Sequence, residues 1–118
     1  MASVTGIGGL FFRARDPQAL SDWYDRHLGI GWQAGGPWRQ AAGPTILAPF
    51  PQGSDYFPAD RQWMLNLRVD DLAGLIAALQ SAGIPVETRP EEWDSEVGRF
   101  ARIHDPEGNP IELWQPRA

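Results

Sequence analysis

Apolar and polar positions alternate across residues 98–116, which predicts two β-strands joined by a tight turn. Residues 105–109, Asp-Pro-Glu-Gly-Asn, are typical of that turn, because proline presets φ and glycine allows a positive φ. A regular antiparallel register then places three pairs of side chains on one face of the hairpin. These pairs are Phe100 with Trp114, Arg102 with Glu112, and His104 with Pro110.

The two faces of this predicted hairpin differ in chemistry. The face with the aromatic pair also carries opposite charges, so we expect Arg102 and Glu112 to form an ion pair across the strands. A sheet with one buried face and one chemically mixed face is suited to line a binding site. The other face is apolar and is expected to meet the core; it carries Ala101, Ile103, Ile111 and Leu113.

Upstream, the first half of the chain has the pattern of one strand, one helix and three short strands. Residues 7–14 alternate as a strand, and Asp16 with Pro17 predicts the start of a helix that runs to about residue 27 and stops at Gly29. Residues 49–61 are rich in proline, glycine and aspartate, which indicates a linker or a lid loop. The short strands are predicted at 30–34, 38–42 and 45–48.

The pattern then restarts at residue 63 with a strand over 63–69 and a helix that Asp71 caps and Gly83 ends. A short strand at 86–89 and a polar loop at 90–97 lead into the hairpin. Residues 13–17 match 68–72, so the chain contains an internal repeat of about 55 residues. Each βαβββ copy is too small to bury a core alone, and the two copies are therefore expected to share one sheet.

Residues 100–116, FARIHDPEGNPIELWQP, resemble the C-terminal hairpin of the vicinal oxygen chelate superfamily, the glyoxalase, bleomycin-resistance and ring-cleaving dioxygenase group. With the repeat, the resemblance extends over residues 7–115. It implies one α+β domain over 1–118, with module 1 at about 5–50, a linker at 51–61 and module 2 at about 62–116. The two modules would form a curved eight-stranded mixed sheet around a cup, with the helices on its outer face.

The superfamily is known for a divalent metal in this cup, held by residues from four strands. The resemblance puts Gly9 and Met64 where histidines are usual, and no Asp, Glu or His occurs between residues 30 and 49, where an acidic ligand is expected. Only Glu112 matches a ligand position. One carboxylate does not replace the hydration shell of a divalent ion, so no metal and no other cofactor is expected.

The side chains expected to face the cup combine aromatic walls with arginines, which favours a ligand with an aromatic or apolar body and an anionic group. Alternatively, Arg13 and Arg68 lie at strand ends and extend into solvent. His104 and Glu112 are the candidate catalytic residues; His104 could instead cap the hairpin turn. The expected ligand-binding residues are Phe11, Arg13, Trp38, Tyr56, Met64, Asn66, Arg68, Phe100, Arg102, His104 and Trp114.

The composition and net charge of the chain exclude some classes of binding partner. The net charge of -5 argues against nucleic acid and anionic membranes, which attract basic surfaces. The sequence has no apolar run long enough to span a bilayer, no signal-peptide pattern and no cysteine, and we expect a cytoplasmic protein. The partners expected are a small-molecule ligand and, from the resemblance, a second copy in a homodimer.

Three functions remain open from the sequence. The first is a metal-independent small-molecule-binding protein similar to the bleomycin-resistance branch. The second is a metal-dependent glyoxalase-like lyase or dioxygenase-like enzyme with an atypical site. The third is a scaffold whose degenerate cup serves protein interactions. Because one fold carries many functions, the resemblance alone does not choose among them.

Overall fold

A computed structural model describes residues 2–30 and 37–117 of the chain. These residues form an α+β fold with a mixed sheet, as predicted. In the described part of the chain, no helix is both long and apolar enough to cross a membrane. The helices are α1 (Pro17–Leu28), α2 (Leu72–Ser81) and α3 (Pro90–Trp93), and the strands are β1 (Leu65–Arg68), β2 (Gly98–His104) and β3 (Pro110–Pro116).

Strand β3 lies at the centre of the sheet, parallel to β1 and antiparallel to β2. The predicted hairpin register is confirmed at all three pairs, and Gly108 in the turn has a φ of 85°, as the turn chemistry requires. The parallel register adds two neighbours to the mixed face, because Asn66 lies beside Glu112 and Arg68 lies beside Trp114.

The core lies between one face of the sheet and the two longer helices. The predicted apolar face of the hairpin is fully buried, with each of its four side chains at most 1% exposed. Leu20 and Tyr24 of α1 pack into the same cluster as Leu72 and Leu79 of α2. Because both helices cover this face, the mixed face that carries Arg102 and Glu112 points away from them.

Both longer helices begin where their caps predict. The Asp16 carboxylate accepts a hydrogen bond from the backbone N–H of Ala19, and the Asp71 carboxylate accepts one from that of Gly74. Gly29 ends α1 in the left-handed conformation with a φ of 70°. These local signals therefore mark the bounds of both helices, and packing of their apolar faces against the sheet stabilises them.

The hairpin turn ties the sheet to α1 through Asp105, which is 4% exposed. Its carboxylate accepts hydrogen bonds from the Tyr24 hydroxyl at 2.7 Å, from the Asn109 amide at 2.8 Å and from the backbone N–H groups of Glu107 and Asn109. Burial, together with this carboxylate, raises the pKa of Tyr24 well above its usual value. Asp105 therefore closes the turn and fixes α1 against it.

Glu107 makes a second connection between the turn and the start of α1. Its carboxylate accepts hydrogen bonds from the backbone N–H groups of Arg15 at 2.7 Å and Asp16 at 3.0 Å. These bonds lower the pKa of Glu107, since they favour the charged form.

Three of the eight expected strands are formed by the described residues. Residues 7–14, 38–42 and 45–48 are not strands, and Ile7, Phe11 and Leu47 are exposed. A strand requires a paired neighbour for its backbone, and these segments have none within the described chain. The predicted strand at 86–89 is reduced to one bridge between Glu87 and Arg102, and the predicted loop at 90–97 contains α3. Of the strand predicted at 30–34, positions 31–34 lie outside the described residues.

We predict that Asp105→Ala destabilises the fold by about 3 kcal/mol, because it leaves buried donors without an acceptor. Tyr24→Phe removes one of these hydrogen bonds and should cost about 1 kcal/mol. Chemical denaturation followed by circular dichroism measures both changes. Glu96→Ala, at an exposed turn position, is the control and should cost less than about 0.5 kcal/mol. Equal stability of Asp105→Ala and Glu96→Ala would contradict the role given to Asp105.

Candidate functional site

Glu112 is a buried carboxylate on the mixed face of the central strand, with 9% of its surface exposed. Both of its oxygens accept hydrogen bonds from neutral side chains. The Tyr56 hydroxyl donates to Oε2 at 2.5 Å, and the Asn66 amide donates to Oε1 at 2.7 Å. Asn66 comes from the neighbouring strand, whereas Tyr56 comes from the loop at 49–61, so Glu112 connects the sheet to that loop.

Arg102 lies opposite Glu112 in the register but does not make the expected ion pair. Its Nη2 donates to the backbone carbonyl of Tyr56 at 3.0 Å. Its guanidinium lies over the rings of Tyr56 and Trp93, with centroid distances of 5.0 and 5.6 Å. The predicted cross-strand ion pair is therefore wrong, because both side chains form their hydrogen bonds with residues from other elements.

The Nε of Arg102 is buried and has no hydrogen-bond partner among the described residues. Arg102 as a whole is 7% exposed, so solvent does not readily replace the missing acceptor. Nearly all buried donors in proteins are paired, and a charged one is costly to leave open. This donor is therefore an unsatisfied, charged polar group on the mixed face.

Tyr56 is positioned by side-chain contacts, since residues 51–62 contain turns and bends but no helix or strand. Besides Glu112 and Arg102, its ring contacts Phe50 at 5.5 Å and Trp93 at 6.4 Å between centroids. Burial and the hydrogen bond to Glu112 raise the pKa of Tyr56 to about 12. The hydroxyl therefore stays protonated and donates to the carboxylate at neutral pH.

A stacked aromatic pair continues the same face of the sheet. Phe100 and Trp114, paired in the register, have ring planes 4° apart and centroids 6.2 Å apart. The Trp114 indole N–H donates to the carbonyl of Val97 at 2.9 Å, which fixes the ring. The mixed face thus presents rigid aromatic rings beside a buried cation and a buried carboxylate.

The structure brings together only part of the residue set expected to bind a ligand. Tyr56, Asn66, Arg102 and Glu112 form one polar cluster, and Phe100 and Trp114 lie on the same sheet face. The two aromatic residues Trp93 and Phe50 join this cluster although they were not in the expected set. Trp93 was missed because the sequence predicted a polar loop at 90–97, and no periodic pattern marks its position.

The other expected residues lie outside this cluster or at its edge. Phe11 is 96% exposed and Arg13 is also exposed, and both belong to a segment that forms no strand. The Arg68 guanidinium donates to the backbone carbonyls of Pro44 and, at 2.8 Å, Ala41. This contact satisfies Arg68 with backbone acceptors and holds the 41–44 segment against β1. Met64 is half-buried, Trp38 is 42% exposed, and His104 is exposed at the end of β2.

The positions implied for a divalent metal carry residues that do not fit one. Gly9 has no side chain, and the thioether of Met64 is a poor ligand for hard cations. Glu112 already uses both oxygens as hydrogen-bond acceptors. Within residues 2–30 and 37–117, no three His, Cys, Asp or Glu side chains lie close enough together to hold a metal ion.

Comparison with known proteins identifies relatives over nearly the whole chain. Residues 9–114 match the family model of the glyoxalase-like domain. The crystal structure of TnmS3, an antibiotic binding protein from Streptomyces sp. CB03234, matches with a TM-score of 0.64 and 25% identity over 99% of this chain and 100% of that chain. A glyoxalase/bleomycin resistance protein from the same organism matches with a TM-score of 0.52 and 28% identity, over 85% of this chain and 91% of its own. No protein with a curated function matches.

The raised pKa of Tyr56 predicts the tyrosine titration of this protein. Its two tyrosines, Tyr24 and Tyr56, both have raised pKa values, so the folded chain should show little tyrosinate absorbance below about pH 11. The unfolded chain in guanidinium chloride should titrate near pH 10. Because the folded pKa of Tyr56 is the higher one, its contact is fully stabilising below about pH 10 and is lost between about 10 and 12.

Glu112→Gln tests the cause of this shift. Removing the carboxylate should move the Tyr56 titration toward pH 10, while burial keeps part of the shift. Near-ultraviolet absorbance follows the ionisation, and far-ultraviolet circular dichroism verifies that the protein stays folded. A tyrosine that titrates near pH 10 in the folded wild type, or an unchanged titration in Glu112→Gln, would contradict the contact.

Proposed function

We propose, since the chain belongs to the glyoxalase-like domain family of the vicinal oxygen chelate superfamily, that it is a metal-independent binding protein for a small organic molecule. The ligand has an aromatic or apolar body and carries an anionic group. It lies on the mixed face of the sheet, against the stacked rings of Phe100 and Trp114, and its anionic group accepts a hydrogen bond from Arg102.

The open Nε of Arg102 is the observation that carries this proposal. A guanidinium presents donors in a fixed planar arrangement that matches a carboxylate. Arg102 uses Nη2, whereas its Nε is buried and unpaired, so an anionic group that displaces part of its surroundings would supply the missing acceptor. The surrounding rings supply an apolar wall for the rest of the ligand. A cation held in a low-dielectric environment beside aromatic faces favours a planar anion over a neutral molecule of the same shape.

The relative with the higher TM-score supports binding as the activity. TnmS3 is an antibiotic binding protein, and its similarity to this chain extends over the full length of both. On this chain, the residues at the family's metal positions do not favour the metal-dependent lyase or dioxygenase alternative. Binding without chemistry therefore agrees with both the relative and the polar cluster.

We also propose that a second copy of the chain completes the binding face. The segments at 2–14 and 37–50 carry exposed apolar residues, with Val4 92%, Ile46 70% and Leu47 85% exposed. Strand β1 lies at an edge of the sheet, where its backbone is available for further pairing. In the homodimer, the strands expected from these segments would extend the three-stranded sheet toward the curved eight-stranded cup.

Native mass spectrometry of the purified protein tests the assembly and the cofactor together. The proposal predicts a dimer that retains an organic molecule after purification or binds one on addition, with no stoichiometric metal. A monomer at micromolar concentration would overturn the homodimer, and a bound divalent ion in stoichiometric amount would favour the enzyme alternative.

Arg102→Leu tests the role of the guanidinium. We expect 2-naphthoate to bind the wild type at least about tenfold more tightly than the neutral 2-naphthamide, a difference of about 1.4 kcal/mol, and Arg102→Leu to lose this preference. Arg99→Leu makes the same charge change at an exposed position of the same strand and should keep it. Arg102→Lys keeps the charge without the planar donor pair and should recover only part of it.

Isothermal titration calorimetry measures these affinities, and thermal unfolding verifies that each variant is folded. Equal binding of naphthoate and naphthamide by the wild type would contradict an anion-selective site. Loss of the preference in Arg99→Leu as well would show that general charge, and not Arg102, attracts the ligand.

A further inference from the structure

The side chain of Tyr56 is a phenol bound at a site made by other parts of the chain. Its hydroxyl donates to Glu112 at 2.5 Å, its ring faces the Arg102 guanidinium at 5.0 Å, and the Trp93 ring meets it nearly edge-on at an interplanar angle of 66°. Phe50 packs on it at 5.5 Å. A hydrogen-bond acceptor, a cation over the ring face and two aromatic walls together recognise one chemical group.

The contacts that hold this ring belong mainly to the helices and strands of the fold. Glu112 and Arg102 lie on paired strands and are buried, and Trp93 ends α3. Tyr56 itself lies in a segment of turns, whose backbone connection to Arg102 is the bond from Nη2 to the Tyr56 carbonyl. The receptor is therefore built into the sheet, whereas its occupant is carried by a loop.

We propose that Asn66, Trp93, Arg102 and Glu112 form a phenol slot, in which Tyr56 occupies the position of a phenolic ring of the ligand. The inference rests on the proposed function, because the slot lies on the same sheet face, and it names the chemical class of the ligand as a hydroxyarene. The ligand's hydroxyl replaces that of Tyr56 on Glu112, and the loop at 49–61 moves away as the ligand enters.

The chemistry of the slot selects a protonated phenol over related groups. Glu112 accepts hydrogen bonds and repels a phenolate or a second carboxylate, so the group that meets it must carry a proton. An aliphatic alcohol would satisfy Glu112 but would remove the nearer of the two rings over the Arg102 guanidinium and leave it with the Trp93 ring. An aryl methyl ether would offer the ring without the donor, and Glu112 would then lose one of its two partners.

Tyr56 also sets the affinity that a ligand experiences. An attached side chain competes at a high effective concentration, and a ligand binds only the fraction of molecules in which the slot is open. Removing the tyrosine ring therefore strengthens binding of a free phenol by the inverse of that fraction. We expect a gain of at least about fivefold in Tyr56→Ala.

NMR titration with p-cresol, the free analogue of the tyrosine side chain, tests the proposal, with the indole N–H signal of Trp93 as the reporter. Tyr56→Ala should bind p-cresol at least about fivefold more tightly than the wild type and at least about tenfold more tightly than 4-methylanisole, which lacks the donor. Phe57→Ala, a matched aromatic truncation in the same loop, should leave p-cresol affinity at the wild-type value.

Two further variants keep the test decisive. Tyr56→Phe retains the ring but releases it from Glu112, so it should raise p-cresol affinity above the wild type even if Tyr56→Ala is unstable. Adding Glu112→Gln to Tyr56→Ala should reduce the preference for p-cresol over 4-methylanisole to about threefold or less, since a neutral amide is a weaker acceptor. Equal p-cresol affinity in the wild type and both Tyr56 variants, or equal binding of cresol and methylanisole, would overturn the slot.

The experiments distinguish a failure of the phenol slot from a failure of the proposed binding function. If the slot is wrong but the binding face is right, 2-naphthoate still binds in an Arg102-dependent manner and the Tyr56 variants leave p-cresol binding unchanged. If the binding face is wrong, neither compound binds with any dependence on Arg102 or Tyr56.

Discussion

A buried carboxylate on the central strand constrains the arrangement of this protein's mixed sheet face. Glu112 needs hydrogen-bond donors, because a charged group at 9% exposure is costly without them. It takes one donor from β1 and one from the loop at 49–61. The bond from Tyr56 holds its ring over the sheet, and the two bonds together satisfy the Glu112 carboxylate without Arg102. The guanidinium is therefore left with aromatic neighbours and an unpaired Nε, and on this we base the proposal that this face binds a ligand.

At the turn of the hairpin, a second buried carboxylate uses its hydrogen bonds to stabilise the fold. Asp105 is also buried, yet its four hydrogen bonds all lie within the turn and α1, and none involves the mixed face. The two acids thus divide their roles. Asp105 rigidifies the turn from which β3 begins, and Glu112, seven residues further along, is presented by a strand whose register is already fixed. A rigid strand with a loop-borne partner is suited to exchange that partner for a ligand.

The sequence predicted those parts of the fold that local chemistry decides. The Asp-Pro-Glu-Gly-Asn turn and the alternation around it determined the hairpin register, and Asp16 and Asp71 marked the helix starts. Side-chain partners across different elements were not predictable in the same way. Register placed Arg102 opposite Glu112, but the donors that reach Glu112 come from β1 and from residue 56, which no local pattern connects to it. The strands predicted at 7–14, 38–42 and 45–48 were not formed, because alternation gives a segment the tendency to pair and does not supply its neighbour.

The hydrogen bond between Tyr56 and Glu112 is the contact on which the description of this face depends, and a double-mutant cycle on the free energy of unfolding tests it most directly. Tyr56→Phe, Glu112→Gln and the double variant, compared with the wild type by chemical denaturation, isolate the interaction between the two side chains. We predict a coupling energy of about 1 kcal/mol, the difference between a hydrogen bond to a charged carboxylate and one to the neutral amide that replaces it. Additive effects of the two substitutions would contradict the contact and, with it, the assignment of this face as a site held ready by its own tyrosine.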